Sequence, residues 1–394
     1  ILGPSFTWKT EIYTLGPIEN GTLDGDLLIK GYGDPYLIIE DLWQIVRALS
    51  QKGLKHINGN LLIDSTYFDT NQSDRTPIDG DPLRLYNVTP NATMVNFKWV
   101  EFVLNPANDE KTVKVTTNPR LPNLKIINAI SLTNNPCRGN NPNIRLQIAS
   151  DDLGTIKMSG ELPRSCRNYT LSRTALSHEA YLFGLFKHLL QQSNGSINGQ
   201  HLSVGSNLST RNKVFYEWDS KPLLEILPKI NKWSNNLMTR SLVYSIGADL
   251  FGAPGTEKKG TSAIKKYMRD QGMNILELHI ENGSGLSRST HATAETINEV
   301  LRKAWRSQLM PEFLASLSIA GKDGTTRNRF RNQTINNRVR IKTGTLKNVS
   351  SGGGYVFAKS GKVFSVVFIA NHPGVEKVTG PKFQEALMTW VTEL

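Results

Sequence analysis

Two short motifs carry side chains that could do chemistry. Ser234-Asn235-Asn236 places a hydroxyl two residues before an amide, and Lys342-Thr343-Gly344 places an amine beside another hydroxyl. A serine hydroxyl becomes useful in acyl transfer when an amine lies within hydrogen-bonding distance, because the amine can exchange a proton with it. The motifs lie 108 residues apart, so only the fold can bring them together.

The elements around these motifs predict helices packed on an antiparallel sheet. The stretch 222–246 has a helical pattern, and Pro228 is expected to end or kink that helix before Ser234. Lys342 ends the strand-like stretch 338–342. The other predicted elements are helices at 261–268, 292–305 and 382–394, strands at 354–358 and 363–370, and a hairpin turn at 359–362.

The N-terminal part of the chain contains three similar segments, residues 23–30, 57–64 and 197–204. Each has an Asx-Gly pair before a short apolar stretch, which is typical of a tight turn followed by a strand. Helical patterns at 40–49 and 176–190 lie beside them. The sequence therefore predicts an α/β domain in which strands and helices alternate.

Residues 105–170 differ in composition from the segments on either side. They are rich in proline and asparagine and contain short stretches of alternating apolar and polar residues, which predict a small all-β insertion. Its cysteines, Cys137 and Cys166, flank a predicted hairpin formed by residues 143–148 and 155–158. The hairpin could bring the thiols together, and a disulfide there would add roughly 3 kcal/mol and indicate an oxidising compartment. The alternative is a pair of buried free thiols.

Composition narrows the possible functions. The chain has 394 residues, a net charge of +12 and 38% hydrophobic residues, as expected of a multidomain globular protein. The charge indicates either a solvated basic surface or attraction to nucleic acid, anionic lipid or an anionic wall polymer. Nucleic acid is the weakest choice, because no dense basic block with interleaved aromatics is present. The seven histidines form no ligand-spaced cluster, so we expect no metal and no cofactor.

The two motifs together resemble two of the three signatures of penicillin-binding proteins and serine β-lactamases. Longer matches make the resemblance specific to the class C penicillin-binding D-Ala-D-Ala carboxypeptidases/endopeptidases and extend it over nearly the whole chain. They are Leu2-Gly3-Pro4-Ser5-Phe6, Gly25-Asp26-Leu27, Gly59-Asn60-Leu61, Asn282-Gly283-Ser284-Gly285-Leu286-Ser287-Arg288 and Ser318-Ile319-Ala320-Gly321-Lys322-Asp323-Gly324.

The resemblance implies a mixed α/β and α+β multidomain fold. A β-lactamase/transpeptidase-like domain, an antiparallel sheet with helices, would comprise residues 1–10 and 216–394. It would carry an inserted α/β domain at 11–104 and 171–215, which in turn carries the small β-rich insertion at 105–170.

The third signature, S-x-x-K, occurs once, as Ser262-Ala263-Ile264-Lys265. It follows the S-x-N motif instead of preceding it, and we interpret it as a solvated helix face. In the family, the nucleophilic serine and its lysine base lie about a dozen residues before the Leu-Gly-Pro segment. The resemblance therefore implies that both precede Ile1.

The resemblance also implies roles for the catalytic candidates. Ser234 would relay a proton to the leaving group, Asn236 would hydrogen-bond the substrate backbone, and Lys342 would attract the terminal carboxylate and hold Ser234. The N–H of Thr345 would contribute to the oxyanion hole.

The substrate-binding candidates are implied in the same way. The hydroxyls of Thr343 and Thr345 would bind the carboxylate, and Gly344 would keep the strand narrow for a substrate that adds as a strand. At Asn96 the family often has an aspartate that receives a free amine on the stem peptide. Here Asn96 and Lys98 would bind an ammonium poorly.

The implied function is a serine-type DD-peptidase of peptidoglycan stem peptides and cross-links, acylated by β-lactam antibiotics. The resemblance implies a periplasmic location and allows peripheral association with the membrane. An inactive peptidoglycan-binding scaffold of the same fold is the alternative, and an upstream S-x-x-K would distinguish the two. A β-lactamase would share the motifs, but the large insertion argues against it.

Overall fold

The computed structural model describes residues 1–70, 77–107, 111–138, 142–149, 152–206, 213–330, 335 and 337–394. The chain forms two compact units. Unit 1 comprises Ile1–Phe6 and Lys221–Leu394, and unit 2 comprises Thr7–Ser220. Among the described residues, no helix combines the length and the apolar character needed to cross a membrane.

Unit 2 contains most of the strands. Its elements are β1 (Lys9–Leu15), β2 (Ile18–Glu19), β3 (Thr22–Leu23), β4 (Asp26–Gly31), α1 (Ile39–Gln51), β5 (His56–Ile57), β6 (Leu61–Asp64), β7 (Trp99–Pro106), β8 (Val113–Asn118), β9 (Lys125–Thr133), β10 (Asn143–Ala149), β11 (Asp152–Pro163), β12 (Tyr169–Thr174), α2 (His178–Gln192), β13 (Ser196–Ile197), β14 (His201–Ser203) and β15 (Tyr216–Asp219). Helices α1 and α2 fall where the sequence predicts them, with ends shifted by one or two residues.

The three Asx-Gly segments are neighbours in space. Each gives one strand to a five-stranded sheet of order β14-β6-β4-β1-β15 and one to a four-stranded sheet of order β13-β5-β3-β2. Within each sheet the three repeated strands run parallel. A Cβ at Gly59 would overlap the carbonyl of Gly25, and one at Gly199 would overlap that of Gly59. The bends therefore require glycine because adjacent repeats touch through their backbones.

Two three-stranded sheets complete unit 2, in the orders β12-β7-β8 and β10-β11-β9. The predicted disulfide is confirmed: Cys137 and Cys166 are bonded, with Cα atoms 5.2 Å apart. Strand β10 does form a hairpin with β11, but the thiols meet because β9 and β11 run parallel, with Thr133 opposite Pro163. The chain leaves both strands at the same end of the sheet, and the cysteines follow within four residues.

Unit 1 is a sheet covered by helices. Its elements are α3 (Leu223–Trp233), α4 (Asn236–Phe251), α5 (Glu257–Asp270), α6 (Ala294–Arg306), α7 (Met310–Ser316), β16 (Ser318–Ile319), β17 (Val339–Leu346), β18 (Val349–Phe357), β19 (Val363–Asn371) and α8 (Thr379–Glu393). The sheet is antiparallel with order β16-β17-β18-β19. The predicted fold class, an antiparallel sheet with helices joined to an α/β part, is confirmed. The short elements α7 and β16 had no clear sequence signal.

Opposite faces of this sheet bury different clusters. Val339 and Ile341 of β17 pack with Met388 and Val391 of α8. On the other face, Tyr355 of β18 packs with Leu301 and Leu317, and its hydroxyl donates to the Leu301 carbonyl at 2.6 Å. Since side chains alternate along a strand, this arrangement sets which residues of β17 face each layer of helices.

The helix break near Ser234 does not come from Pro228. Pro228 lies inside α3, which continues to Trp233. The break is at Ser234 itself, which adopts the left-handed conformation with φ 53° and ψ 48° and separates α3 from α4. Pro228 therefore does not end the helix, which is one of the two effects expected of it, whereas the position of the motif past a break is as predicted.

The disulfide allows a stability test. Replacing Cys137 and Cys166 with serine should lower the free energy of unfolding of unit 2 by roughly 3–4 kcal/mol, because the bridge closes a long loop in the unfolded chain. Urea unfolding followed by a probe in unit 2 would measure this, with the native protein under reducing conditions as the control. Equal stability of variant and oxidised protein would contradict the expectation.

Candidate active site

Ser234 occupies the junction of α3 and α4. Ser234 is the residue that caps the C-terminal end of α3. The Asn235 side chain caps the start of α4 by accepting a hydrogen bond from the Met238 N–H at 3.0 Å. The left-handed backbone at Ser234 is uncommon for a residue with a side chain. Such geometry persists when its surroundings fix it, and it is frequent at functional sites.

The Ser234 hydroxyl meets the lysine of the second motif. The Lys342 ammonium donates to Ser234 Oγ at 2.7 Å and to the Thr343 carbonyl at 2.8 Å. The fold thus brings together two motifs that are distant in the chain. Burial lowers the pKa of Lys342 to about 8, because the charged form loses hydration.

A turn after β16 holds the end of α3 in place. Asp323 accepts from the Lys232 ammonium at 2.6 Å and from the Ile319 N–H at 2.7 Å. A Cβ on Gly324 would lie 2.5 Å from the Lys232 carbonyl, so only glycine allows this approach. Lys232 is two residues before Ser234, and the ion pair therefore restrains the serine through the chain. The sequence had singled out Asp323 as part of a motif, whereas its partner Lys232 was not recognised.

The strand that carries Lys342 has an open edge at the site. Strand β16 pairs only with Arg340 and Ile341 of β17, and β17 continues to Leu346. Residues 342–346 are paired on the other side by β18. Within the described residues, the edge beyond Ile341 thus has no partner strand. An exposed edge of this kind can accept an extended peptide as an additional strand.

The remaining predicted residues of unit 1 lie along this edge and at the start of α4. Asn236 is half-buried, and its amide side chain makes no hydrogen bond within the described part of the chain. Thr343 lies with its hydroxyl 3.5 Å from that of Thr325, and Thr345 is exposed. A Cβ on Gly344 would lie 2.5 Å from Ser351 Oγ, so here glycine accommodates β18 as well as narrowing the strand.

The loop at 282–288 approaches the far end of β17. Arg288 donates to the Lys347 carbonyl at 2.9 Å. Asn282 is buried; its amide oxygen accepts from the Ser284 N–H at 3.0 Å, and its amide nitrogen donates to the Leu286 carbonyl at 3.0 Å. The family pattern has aspartate at Asn282, which could accept the first bond but not donate the second.

Asn96 belongs to unit 2 and is already engaged there. It is 7% exposed, and its amide nitrogen donates to the Tyr181 hydroxyl at 3.0 Å. That hydroxyl in turn donates to the Trp99 carbonyl at 2.6 Å. Asn96, Phe97 and Lys98 all have positive φ, so a rigid left-handed turn fixes the asparagine.

Lys98 lies in the same turn and is electrostatically unusual. Burial lowers its pKa to about 8, although the charge of Glu179 acts in the opposite direction. The Glu179 carboxylate accepts from the Asn91 amide at 3.4 Å. Glu101 and Asp109 are the acids nearest to Asn96 in the sequence, but Asp109 lies outside the described residues. Glu179, which is distant in the sequence, is the acid whose charge acts on Lys98.

The S-x-x-K copy has a different environment. Ser262 is exposed on α5, and Lys265 is one turn further along. The described contacts do not connect either residue with Ser234 or Lys342. This location agrees with the interpretation of the segment as a helix face.

Comparisons with known proteins identify the family. The sequence pattern of the D-Ala-D-Ala carboxypeptidase 3 (S13) family matches residues 1–394. The chain belongs to this family. The resemblance seen in the motifs is confirmed, and so is the predicted enzyme class, a DD-peptidase of peptidoglycan metabolism.

Individual relatives agree with this assignment. The chain is 27% identical to D-alanyl-D-alanine carboxypeptidase DacB of Haemophilus influenzae, over 93% of this chain and 76% of that protein. It is 28% identical to the D-alanyl-D-alanine carboxypeptidase of Actinomadura sp., over 93% of this chain and 70% of that protein. The fold is similar to that of penicillin-binding protein 4 of Haemophilus influenzae, with a TM-score of 0.83, 24% identity and coverage of 100% of this chain and 88% of that chain.

The pKa of Lys342 leads to a pH prediction. If its ammonium serves the reaction, kcat/KM should fall as pH rises through about 8, instead of near the usual lysine value of 10.5. Lys342→Arg keeps its charge at all accessible pH values, so any activity it retains should lose this alkaline limb. Profiles between about pH 6 and pH 10 would show the difference. An identical limb in both proteins would mean that another group titrates.

Proposed function

We propose that this family member is a serine DD-peptidase that works through an acyl-enzyme, with its nucleophile and base in an S-x-x-K motif upstream of Ile1. The hydrogen bond of 2.7 Å between Lys342 and Ser234 is the observation that carries the proposal. It brings together an amine and a hydroxyl beside a strand that has an open edge. A scaffold that only binds peptidoglycan would have no need of this half-buried pair.

The proposed acylation transfers one proton through the site. The upstream serine attacks the carbonyl of the terminal D-Ala-D-Ala bond, and its proton passes to the upstream lysine. The C–N bond then breaks, and the departing amine takes a proton relayed through the Ser234 hydroxyl. Lys342 stays charged and orients that hydroxyl, and water subsequently hydrolyses the ester.

The proposed substrate lies against β17 as an added strand. Its terminal carboxylate is attracted by Lys342 and bound by the hydroxyls of Thr343 and Thr345, and its backbone amide is held by Asn236. The Thr345 N–H, together with that of the upstream serine, stabilises the oxyanion. One such donor typically contributes about 3–4 kcal/mol to the transition state.

Other parts of the proposal concern partners and location. A structure of the Haemophilus influenzae penicillin-binding protein 4 contains a β-lactam. We propose that β-lactams acylate this protein too, because they present a carbonyl and a carboxylate as the peptide does. The disulfide supports a periplasmic location, since such bonds persist in oxidising compartments.

Acylation by labelled penicillin tests the assignment. Protein that includes the upstream S-x-x-K should gain the mass of one penicilloyl group, and a chain that starts at Ile1 should not. Ser234→Ala and Lys342→Ala should each slow acylation by a factor of about 10²–10⁴, the usual range for a proton-transfer or electrostatic partner.

Ser262→Ala is the matched control, because it removes a serine from the only S-x-x-K in this chain. It should acylate at the wild-type rate. A penicilloyl adduct on the chain that starts at Ile1 would disprove the upstream nucleophile and point to Ser262. Wild-type rates for Lys342→Ala would disprove the proposed site.

Asn96 and Lys98 lead to a prediction about substrate choice. We propose that Asn96 contacts the stem residue, with little preference for a free amine, because its amide offers only a neutral acceptor. An aspartate there would add a charge-assisted bond of about 1.5–3 kcal/mol. Values of kcat/KM for matched peptides with the stem amine free or acetylated should therefore be nearly equal.

A preference above roughly thirtyfold, equivalent to ~2 kcal/mol, would show that an acidic group recognises the amine. Glu179→Gln would then test whether the carboxylate near Lys98 is that group, and Glu101→Gln would serve as its control. Loss of the preference in Glu179→Gln alone would replace Asn96 with Glu179 in the proposed site.

A further inference from the structure

Two histidines face each other at the base of the loop that contains residues 282–288. His279 and His291 form an isolated antiparallel bridge in which each N–H donates to the other carbonyl, at 2.9 and 3.0 Å. Their rings are stacked, with centroids 5.4 Å apart and planes 21° apart. Side chains directly opposite in an antiparallel pair lie on the same face, so both imidazoles can approach one ligand.

Backbone contacts also prepare His291 for ligation. Its Nδ1 lies 2.9 Å from the Ser289 carbonyl. A carbonyl can only accept, so this contact places the proton on Nδ1 and leaves the lone pair of Nε2 exposed. Metal-binding histidines are commonly oriented in this way, by a hydrogen bond from the other ring nitrogen to a carbonyl or carboxylate.

In the described part of the chain, the nitrogen of each ring that a metal would need makes no other hydrogen bond. Both residues are exposed, and within the described part of the chain no hydrogen bond or ion pair occupies the His279 ring or His291 Nε2. Four of the other described histidines have side-chain or backbone partners: His56 contacts Ser196, His178 is half-buried and contacts the Thr89 carbonyl, His188 contacts Gln192, and the His201 ring packs against Phe183. The pair is therefore distinct in having two open imidazoles side by side.

We propose that His279 and His291 bind a divalent transition-metal ion, such as Cu²⁺, Ni²⁺ or Zn²⁺, through one nitrogen each. Imidazole suits these ions, whereas Mg²⁺ and Ca²⁺ prefer oxygen. Metal–nitrogen distances of about 2.0–2.1 Å require the exposed rings to rotate so that one nitrogen of each approaches the other. Water completes the coordination, since the described residues contain no group of three or more His, Cys, Asp or Glu side chains suited to a metal.

The bound ion would cross-link the two ends of a loop that reaches the proposed catalytic strand. Residues 279 and 291 close a segment whose Arg288 donates to the Lys347 carbonyl, at the turn after β17. Bridging the histidines adds a constraint at the base of this segment without contacting Ser234 or Lys342. The inference departs from the sequence prediction of no metal, which considered only spacing along the chain.

Metal titration by calorimetry, with Cu²⁺, Ni²⁺, Zn²⁺, Mg²⁺ and Ca²⁺ as separate probes, tests the proposal on the whole protein. We expect one site, with Cu²⁺ bound most tightly, as the order of first-row ions requires, and no heat from Mg²⁺ or Ca²⁺. His279→Ala and His291→Ala should each weaken Cu²⁺ binding at least about tenfold, because each removes one of two ligands.

His372→Ala is the matched control. His372 is exposed, and its Nδ1 lies 3.0 Å from the Pro373 carbonyl, but it lacks a facing histidine. This variant should bind Cu²⁺ like the wild type, and the electron paramagnetic resonance spectrum of the wild-type complex should show two equivalent nitrogen ligands. Unchanged affinity in both His279→Ala and His291→Ala, or a spectrum with one nitrogen, would overturn the proposal. These readouts do not depend on peptidase activity, so they are independent of the proposed function.

Discussion

The hydrogen bond between the Lys342 ammonium and the Ser234 hydroxyl is the contact that the rest of unit 1 arranges. The contact requires the helix to end between α3 and α4, and the left-handed backbone conformation of Ser234 ends it there. The ion pair of Lys232 with Asp323 restrains the end of α3, and packing of Ile341 beneath α8 fixes the strand. Burial removes water from the ammonium of Lys342, and the lowered pKa shows the resulting desolvation cost. Hydrogen bonds to the Ser234 hydroxyl and the Thr343 carbonyl offset part of that cost.

Patterns with local causes were predictable from sequence. Apolar periodicity located α1, α5 and α6, and the Asx-Gly segments marked strands β4, β6 and β14. The disulfide was foreseen, but its cause was not, because parallel pairing of β9 with β11 is a long-range property. The break at Ser234 was attributed to Pro228, since proline is the usual local signal and a left-handed serine has none. The Lys232–Asp323 ion pair and the facing histidines also depend on tertiary structure, which the spacing of residues along the sequence does not reveal.

The charge of the chain is distributed unevenly between the two units. Unit 1 contains 25 of the 46 Lys and Arg residues and 13 of the 34 Asp and Glu residues, a net charge of +12. Unit 2 has 21 of each and is neutral. The whole positive charge thus belongs to the unit with the candidate active site. A positive unit raises the local concentration of anionic ligands and speeds their association, which suits the carboxylate-terminated peptides proposed as substrates better than a general basic surface would.

Lys98 and Lys342 show how one physical effect can indicate different roles. Burial lowers the pKa of each to about 8. Lys342 donates to two oxygen acceptors at an open strand edge, where a substrate carboxylate would supply the missing negative charge. Lys98 lies in a left-handed turn, and the charge of Glu179 counteracts the effect of its burial. A lowered lysine pKa therefore shows only that burial disfavours the charged form. The hydrogen bond to Ser234 and the open strand edge, not the lowered pKa, distinguish Lys342 as the catalytic candidate.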